Sequence, residues 1–413
     1  MSPPLARRLV SWVLSQIRVG SITVTEGGRR RTYGHGAPTA IVEVHSPQAW
    51  AMLLSGSRGL ADSYARGLWD TPDLVACIRL AACNVHMLDR LRSALTPVRA
   101  PLQYLRGTAG RNDRHRSRQD IAAHYDLGNE LFENMLDPTL SYSCGFFEHS
   151  SDGLEQASLA KLERVCEKLA LGPGDRVIEI GTGWGGFAMY AARTRGCHVT
   201  TTTISREQRE YALEAVRRAG LSDRVEILLE DYRDLRGRYD KLVSIEMIEA
   251  VGWQHFGTFF AQCSRLLEPD GAMLLQAITI DDRAYDVQKA AKSFINTHIF
   301  PNGCLPSLEV IARSVARRTD LQIAQLEDLT PHYVETLRRW RETFSANTER
   351  VAELGYDEHF RRLWTLYLAY CEAGFAERRI CLVQTLLTKP LWRSGLGPAQ
   401  ERPANLLRLA RAG

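Results

Sequence analysis

Between Val177 and Ala192 the chain reads VIEIGTGWGGFAMYAA, and no other stretch restricts its fold so tightly. Three apolar residues and one acid run into glycines at 181, 183, 185 and 186, and helix-forming residues follow. A strand that ends on Gly-x-Gly and turns straight into a helix lets the backbone approach a ligand closely. RVIEIG is therefore read as a strand and GGFAMYAARTRG as a helix. The alternation continues with HVTTTTIS, a β-branched strand, and REQREYALEAVRRAG, a helix stopped by Gly220. VEILLED and YDKLVSIEM follow as strands, FGTFFAQCSRLLEPDG as a helix and AMLLQAITI as a strand. Such alternation predicts a parallel sheet wrapped by helices. The last hundred residues read as mostly helical, notably HFRRLWTLYLAYCEAGFAERRICLVQTLL.

A chain of 413 residues is too long for one ordinary domain and comfortable for two. Residues 1–105 mix short apolar helices with a hairpin, ITVTEGGRRRTYG, turning at Gly27-Gly28. Residues 106–118, RGTAGRNDRHRSR, read as a basic linker, and 119–413 as the second domain. The start, MSPPLARRLVSWVLSQIRVG, faintly imitates a signal peptide. Ser11, Ser15 and Gln16 break its apolar run, so an amphipathic helix is expected. No apolar span approaches the ~18 residues that a transmembrane helix needs.

Nine scattered cysteines include no C-x-x-C pair, which argues against zinc and a disulfide framework and suits a reducing cytosol. No metal site is expected. The net charge of +4 is small but uneven. The linker arginines and the GGRRR cluster read either as solvated turns or as a magnet for an anionic membrane, where each base contributes ~1 kcal/mol. Neither cluster has interleaved aromatics or a reading helix, which argues against nucleic acid.

Gly181, Gly183 and Gly186 satisfy G-x-G-x-x-G, so a dinucleotide must be considered. Glu179 argues against it, because an acid two residues before the turn repels a pyrophosphate. The second strand also ends in hydroxyls instead of the acid that holds an NAD ribose. S-adenosylmethionine has no phosphate and carries a sulfonium and an ammonium, which Glu179 suits. With LLEDYRD after the third strand and the strand order, these features predict a methyltransferase fold. Gly181, Gly183 and Gly185 should shape the turn and Glu179 should orient the polar end. Asp231, at a strand's carboxyl end, is expected to touch ligand.

These residues, with HYDLGNELF, LSYSCGFF, TISREQ, EDYRD, MIEAVG, IFPNGCLPS and a helix bearing Cys371, Phe375 and Gln384, resemble a known family. The chain is similar to the cyclopropane-fatty-acid synthases and mycolic acid cyclopropane synthases from about residue 119 to 385. The resemblance implies an α/β fold with a class I, Rossmann-like methyltransferase sheet and helical insertions. It also implies a smaller, mainly helical N-terminal domain that docks on lipid, as in the bacterial enzymes acting on intact phospholipids. The expected setting is the cytoplasmic face of the membrane, with unsaturated phospholipid as substrate and a homodimer as the assembly. In the resembled enzymes Tyr142, Ser143, Thr203, Ser205, Gln208, Asp231 and Tyr232 complete the S-adenosylmethionine pocket.

The family's chemistry sends alkene π electrons to the sulfonium methyl, and the resulting carbocation must lose a proton to close a ring. Water would capture the cation, so the pocket must be dry and hold one weak base. The resemblance makes that base a bound bicarbonate, with Cys144, Glu249, Tyr333 and the backbone of Ile278 at matching positions. One position departs: the family's LLHTI reads LLQAI, placing Gln276 where a histidine stands. Glutamine donates a hydrogen bond but relays no proton, which secures methyl transfer and opens the fate of the cation. Ring closure is expected, with a methylene-branched chain as the alternative.

Blander roles compete at several of these positions. The resemblance implies an active-site cysteine at Cys371, but no step needs a thiolate, so a pocket-wall role as a small hydrophobe is favoured. Cys144 is read either as wall or as anion ligand, Glu249 as site or solvated acid, and Thr203 as ligand contact or strand residue. Trp184 and Tyr142 would shield the sulfonium by cation–π contact or belong to the core. Rival functions are an amine N-methyltransferase, which would need no lipid-docking domain, and an idle lipid-binding protein, which should have lost Glu249 or the glycine turn.

Overall fold

The computed structural model describes residues 2–85, 128–289 and 291–393. The 106–118 linker, the 1–105 boundary and the start of HYDLGNELF lie outside the described residues.

Four strands open the chain: β1 (Gly20–Glu26), β2 (Arg29–His35), β3 (Thr39–Val44) and β4 (Trp69–Asp70), in the order β2-β1-β3-β4. The expected hairpin is β1–β2, with Glu26 opposite Arg29 across the two glycines. The same strands do more than pair locally. β1 also runs parallel to β3, so a sheet organises a half that was expected to be mainly helical. A hairpin is legible from its turn, whereas a parallel partner reached through a loop leaves no local mark. The helix Pro3–Leu14 forms as expected, with Pro in its first turn.

The second sheet has seven strands in the order β10-β11-β9-β8-β5-β6-β7. β5 (Arg176–Ile180), β6 (His198–Thr203), β7 (Val225–Leu229), β8 (Tyr239–Ile245) and β9 (Leu267–Ile280) are mutually parallel. Side chains alternate across it. Ile178, Ile180, Met273 and Leu275 pack with Phe259 and Phe260 on one face, while Val177, Val199, Ala272 and Leu274 meet Val165 and Ala188 on the other. From β5 the chain builds outward to β7, then crosses back to β8 on β5's other side. That reversal opens a crevice at the carboxyl ends of β5 and β8.

β10 (Gln322–Asp328) and β11 (Ile380–Thr388) complete the sheet antiparallel. The C-terminal stretch read as helical therefore divides. The helix Glu358–Ala376 ends just before Arg378, whose φ is +50°, and Gln384 lies on β11 instead of on the helix with Cys371. That helix packs on Thr330–Ala346 and on the N-terminal helices Ser57–Ala65 and Leu74–Cys83. Arg362 ties the two halves, donating to Asp70 at 2.6 Å and to the Tyr64 carbonyl at 2.8 Å. All nine cysteines are free.

Candidate active site

The glycine turn follows β5. Gly181, Gly183 and Gly185 have φ of +106°, +53° and +90°, a region that side-chain-bearing residues rarely adopt. A Cβ on Gly183 would enter open space, so the turn faces a ligand-sized gap. Gly185 instead packs toward Ala212, 3.3 Å from where its Cβ would stand.

Glu179 is buried beneath the turn, and its Oε2 accepts a 2.6 Å hydrogen bond from Thr201 Oγ1. Burial pushes its carboxyl up to about 8, against the opposing pull of the Thr201 hydroxyl and Lys161. A cationic ligand would draw it back to the charged form. Asp231 is held by a two-point pair to Arg233 at 2.8 and 2.7 Å, and the ring of Tyr232 packs on Phe259. The Tyr232 hydroxyl is buried with no hydrogen-bond partner, an orphaned polar atom on the lining of the cavity. A buried acid, an open glycine turn and an orphaned hydroxyl fit S-adenosylmethionine.

Thr203 and Gln208 join the same lining, with Thr203 donating to Gln208 Oε1 at 2.8 Å. Ser205 does not reach it. Its hydroxyl caps the helix Arg206–Arg218 by accepting from the Gln208 amide. The Trp184 ring is buried against Phe132, and its indole N–H donates to Asn129 at 2.8 Å. The Tyr142 hydroxyl lies 2.7 Å from that of Tyr367. Ser143 accepts 3.0 Å from the buried ammonium of Lys161, whose pKa burial lowers while Glu246, Asp137 and Glu179 oppose. Lys161 escaped the sequence reading, because a lysine on an amphipathic helix normally marks its wet face.

Across the crevice, at the end of β8, the expected base site has an occupant from the chain itself. Glu246 Oε1 accepts from the Cys144 backbone N–H at 3.0 Å and from Gln276 Nε2 at 2.7 Å. Its Oε2 accepts from the Tyr333 hydroxyl at 2.6 Å. Tyr333 is stacked on Phe375, with ring centroids 4.3 Å apart. Gln276 is oriented in turn by Gln384, which donates to its Oε1 at 2.8 Å. The Ile278 N–H donates to Glu249 Oε1 at 2.6 Å, while Glu249 Oε2 is buried without a partner. The structure thus brings Cys144, Glu249, Gln276, Ile278 and Tyr333 together. Cys144 contributes its N–H, not its thiol, which lies buried against the Gly145 carbonyl. Cys371 lines the cavity some way along it, its thiol pushed up to about 12 by burial. Glu246 was missed although it stands three residues before Glu249, at a strand's carboxyl end where acids meet ligands.

A cavity of about 3170 Å³ runs from Glu179 and Asp231 past Glu246 and Glu249 to apolar residues of the N-terminal half, among them Ile17, Val24 and Trp50.

Residues 112–385 match the mycolic acid cyclopropane synthetase family. The chain belongs to that family. It is 38% identical over 365 residues to the cyclopropane-fatty-acyl-phospholipid synthase of Escherichia coli K12, covering 86% of this chain and 89% of that one. To the tuberculostearic acid methyltransferase of Mycobacterium tuberculosis it is 36% identical over 384 residues, covering 89% of each. Among solved structures it resembles a mycolic acid cyclopropane synthase complexed with SAH and CTAB. There the TM-score is 0.62 and the identity 30%, over 66% of this chain and 98% of that one. Likeness to coclaurine N-methyltransferase, TM-score 0.59 at 21% identity over 80% of this chain and 99% of that one, shows the fold alone. This family member is a class I S-adenosylmethionine-dependent methyltransferase.

Proposed function

We propose that this enzyme methylates the cis double bond of an unsaturated phospholipid acyl chain and closes a cyclopropane ring. The observation that carries the reading is the cavity, which joins the cofactor turn to an apolar channel reaching into the N-terminal half. An amine substrate would need no such channel. The name of the Escherichia coli relative, similar over most of both chains, supports an intact phospholipid as the substrate.

The helix Pro3–Leu14 supports docking at a bilayer. Leu5, Leu9 and Trp12 are 55%, 43% and 50% exposed, beside Arg7 and Arg8. Apolar side chains on one face with basic ones nearby suit a helix lying in the interface plane. Leu9 and Trp12 also border the cavity, so an acyl chain leaving the bilayer would meet its mouth there. Arg58, Lys292 and Arg379 bring positive charge to the same lining, which suits a phosphate headgroup. No described helix is long and apolar enough to cross a membrane.

S-adenosylmethionine, when bound, supplies an electrophilic methyl group and leaves with the carbon–sulfur electron pair on sulfur. The alkene π pair forms the new carbon–carbon bond, leaving positive charge on the neighbouring chain carbon. Tyr142, Tyr333, Tyr367 and Phe375 line the cavity with rings that keep water from that carbon. Loss of a proton from the added methyl then closes the ring. The methylene-branched product is the second reading, favoured by the likeness to the tuberculostearic acid methyltransferase. It arises when a hydride shift on the chain precedes the proton loss.

The test is incubation with S-adenosylmethionine and oleoyl phospholipid vesicles, followed by NMR of the extracted chains. Cyclopropane protons are expected. Vinylidene protons alone would replace ring closure by the branched product and leave methyl transfer standing.

A further inference from the structure

The groups expected to hold a bicarbonate do not fit one. Three donors that would bind it, the Cys144 N–H, the Gln276 amide and the Tyr333 hydroxyl, already converge on Glu246, and the Ile278 N–H serves Glu249. A side-chain carboxylate presents the same planar pair of oxygens as that anion, on a tether from β8. We infer that Glu246 is the catalytic base of this enzyme and that turnover needs no bicarbonate, an inference that rests on the alkene methylation proposed above.

Independent features of the chain agree. Glu246 has φ of +50°, in the left-handed region that favours glycine. A glutamate held there is strained and persists only where the surroundings over-determine it, and such outliers gather at active sites. The surroundings here do so. The Glu246 N–H donates to the Gln276 carbonyl at 2.8 Å, while the Gln276 side chain donates back to the carboxylate. Gln384 fixes the Gln276 amide so that its NH₂ group, not its oxygen, meets Glu246, and Lys168 holds Gln384 Oε1 at 2.7 Å. Glutamine at 276 thus has a reason: it donates to a fixed carboxylate without adding a charge.

The two acids take different parts. Glu249 has one donor and is pushed up to about 8 by burial and by Glu246, so it is neutral near pH 7. Burial raises the Glu246 carboxyl too, but the Tyr333, Cys144 and Gln276 donors and the Lys161 ammonium all pull it back, so of the two acids it is the one whose carboxylate form is supported. Its Oε1 accepts two hydrogen bonds, whereas Oε2 receives only Tyr333 and keeps acceptor capacity, on a residue that lines the cavity. That oxygen takes a proton from the transferred methyl group. The C–H electron pair closes the third side of the ring and cancels the cation, and Glu246 becomes the neutral acid until water recovers the proton.

The experiment uses the full-length protein, S-adenosylmethionine with a labelled methyl group and dioleoyl phosphatidylglycerol vesicles. Buffers are stripped of carbon dioxide, then supplemented with millimolar bicarbonate. Wild-type turnover should be the same in both, within about twofold. Glu246→Gln should lose about a hundredfold or more in kcat, the usual worth of a positioned base, while binding S-adenosylmethionine normally by calorimetry. Glu246→Gly relieves the backbone and leaves the donors facing a gap, so added bicarbonate should restore part of its activity. Wild-type activity that appears only with bicarbonate, or full activity in Glu246→Gln, overturns the inference. A wild type that labels no lipid in either buffer overturns the alkene reading itself, so the two failures are distinguishable.

Discussion

Glu249 and Gln276 are neighbours of one carboxylate, and each makes a measurable prediction. Burial and the charge of Glu246 raise the Glu249 carboxyl from 4.5 to about 8. The folded protein keeps a proton there that the unfolded chain has lost, so between pH 4.5 and about 8 stability falls as pH rises. Glu249→Gln has no such proton to lose. Its unfolding free energy should exceed that of wild type at the upper end, by roughly 2 kcal/mol after allowing for screening in the cavity, and near pH 5 the gap should narrow. An equal gap at both ends would contradict the buried, neutral Glu249. Gln276→Leu removes one hydrogen bond to a charged group, worth roughly 1.5–3 kcal/mol, so turnover should drop about tenfold to a hundredfold. Gln276→His, which still donates, should keep most of the activity, and unchanged kinetics in the leucine variant would remove Gln276 from the site. The sequence showed Gln276 as a departure but not its cause. The cause is Glu246, on another strand, and only the β8–β9 register, with Ile245 opposite Gln276, joins them.

At the level of elements, strand-glycine-helix units were legible because each carries its own signal: a β-branched or apolar run, then a turn, then helical spacing. The turn between β5 and the helix Gly186–Arg195 gives a direct test. Gly183 has φ of +53° with open space beyond its missing Cβ. Gly183→Val would strain the backbone and fill the ligand's approach, so binding of S-adenosylmethionine by calorimetry should become undetectable. Undiminished affinity would end the cofactor assignment. β11 was not legible, because ICLVQTLLT follows a helix with only Glu377 to Arg379 between them and its apolar run suits either element. Its pairing with β9 decides the matter, and long-range pairing is what local pattern lacks.

For the whole molecule, the N-terminal half supplies both a wall of the cavity and an exposed apolar helix. If that helix lies in the membrane interface, Leu5→Glu should weaken sedimentation with anionic vesicles, since Leu5 is 55% exposed. Raising the salt should weaken it further, because exposed charges are screened over ~8 Å at physiological ionic strength. Binding indifferent to the substitution, to salt and to lipid charge would reject this docking face. Length and composition suggested a division of the chain, but the sheet inside the N-terminal half and the cavity reaching into it depend on tertiary contacts, which local pattern does not carry. These features bear on the act proposed for the enzyme, transfer of a methyl group onto a lipid double bond. The direct measurement follows isotope from the methyl of S-adenosylmethionine into oleoyl phospholipid vesicles, with mass spectrometry of the released acyl chains. One labelled carbon gained for each double bond lost is the predicted result. Turnover of S-adenosylmethionine with the acyl chains unlabelled and their double bonds intact would contradict it.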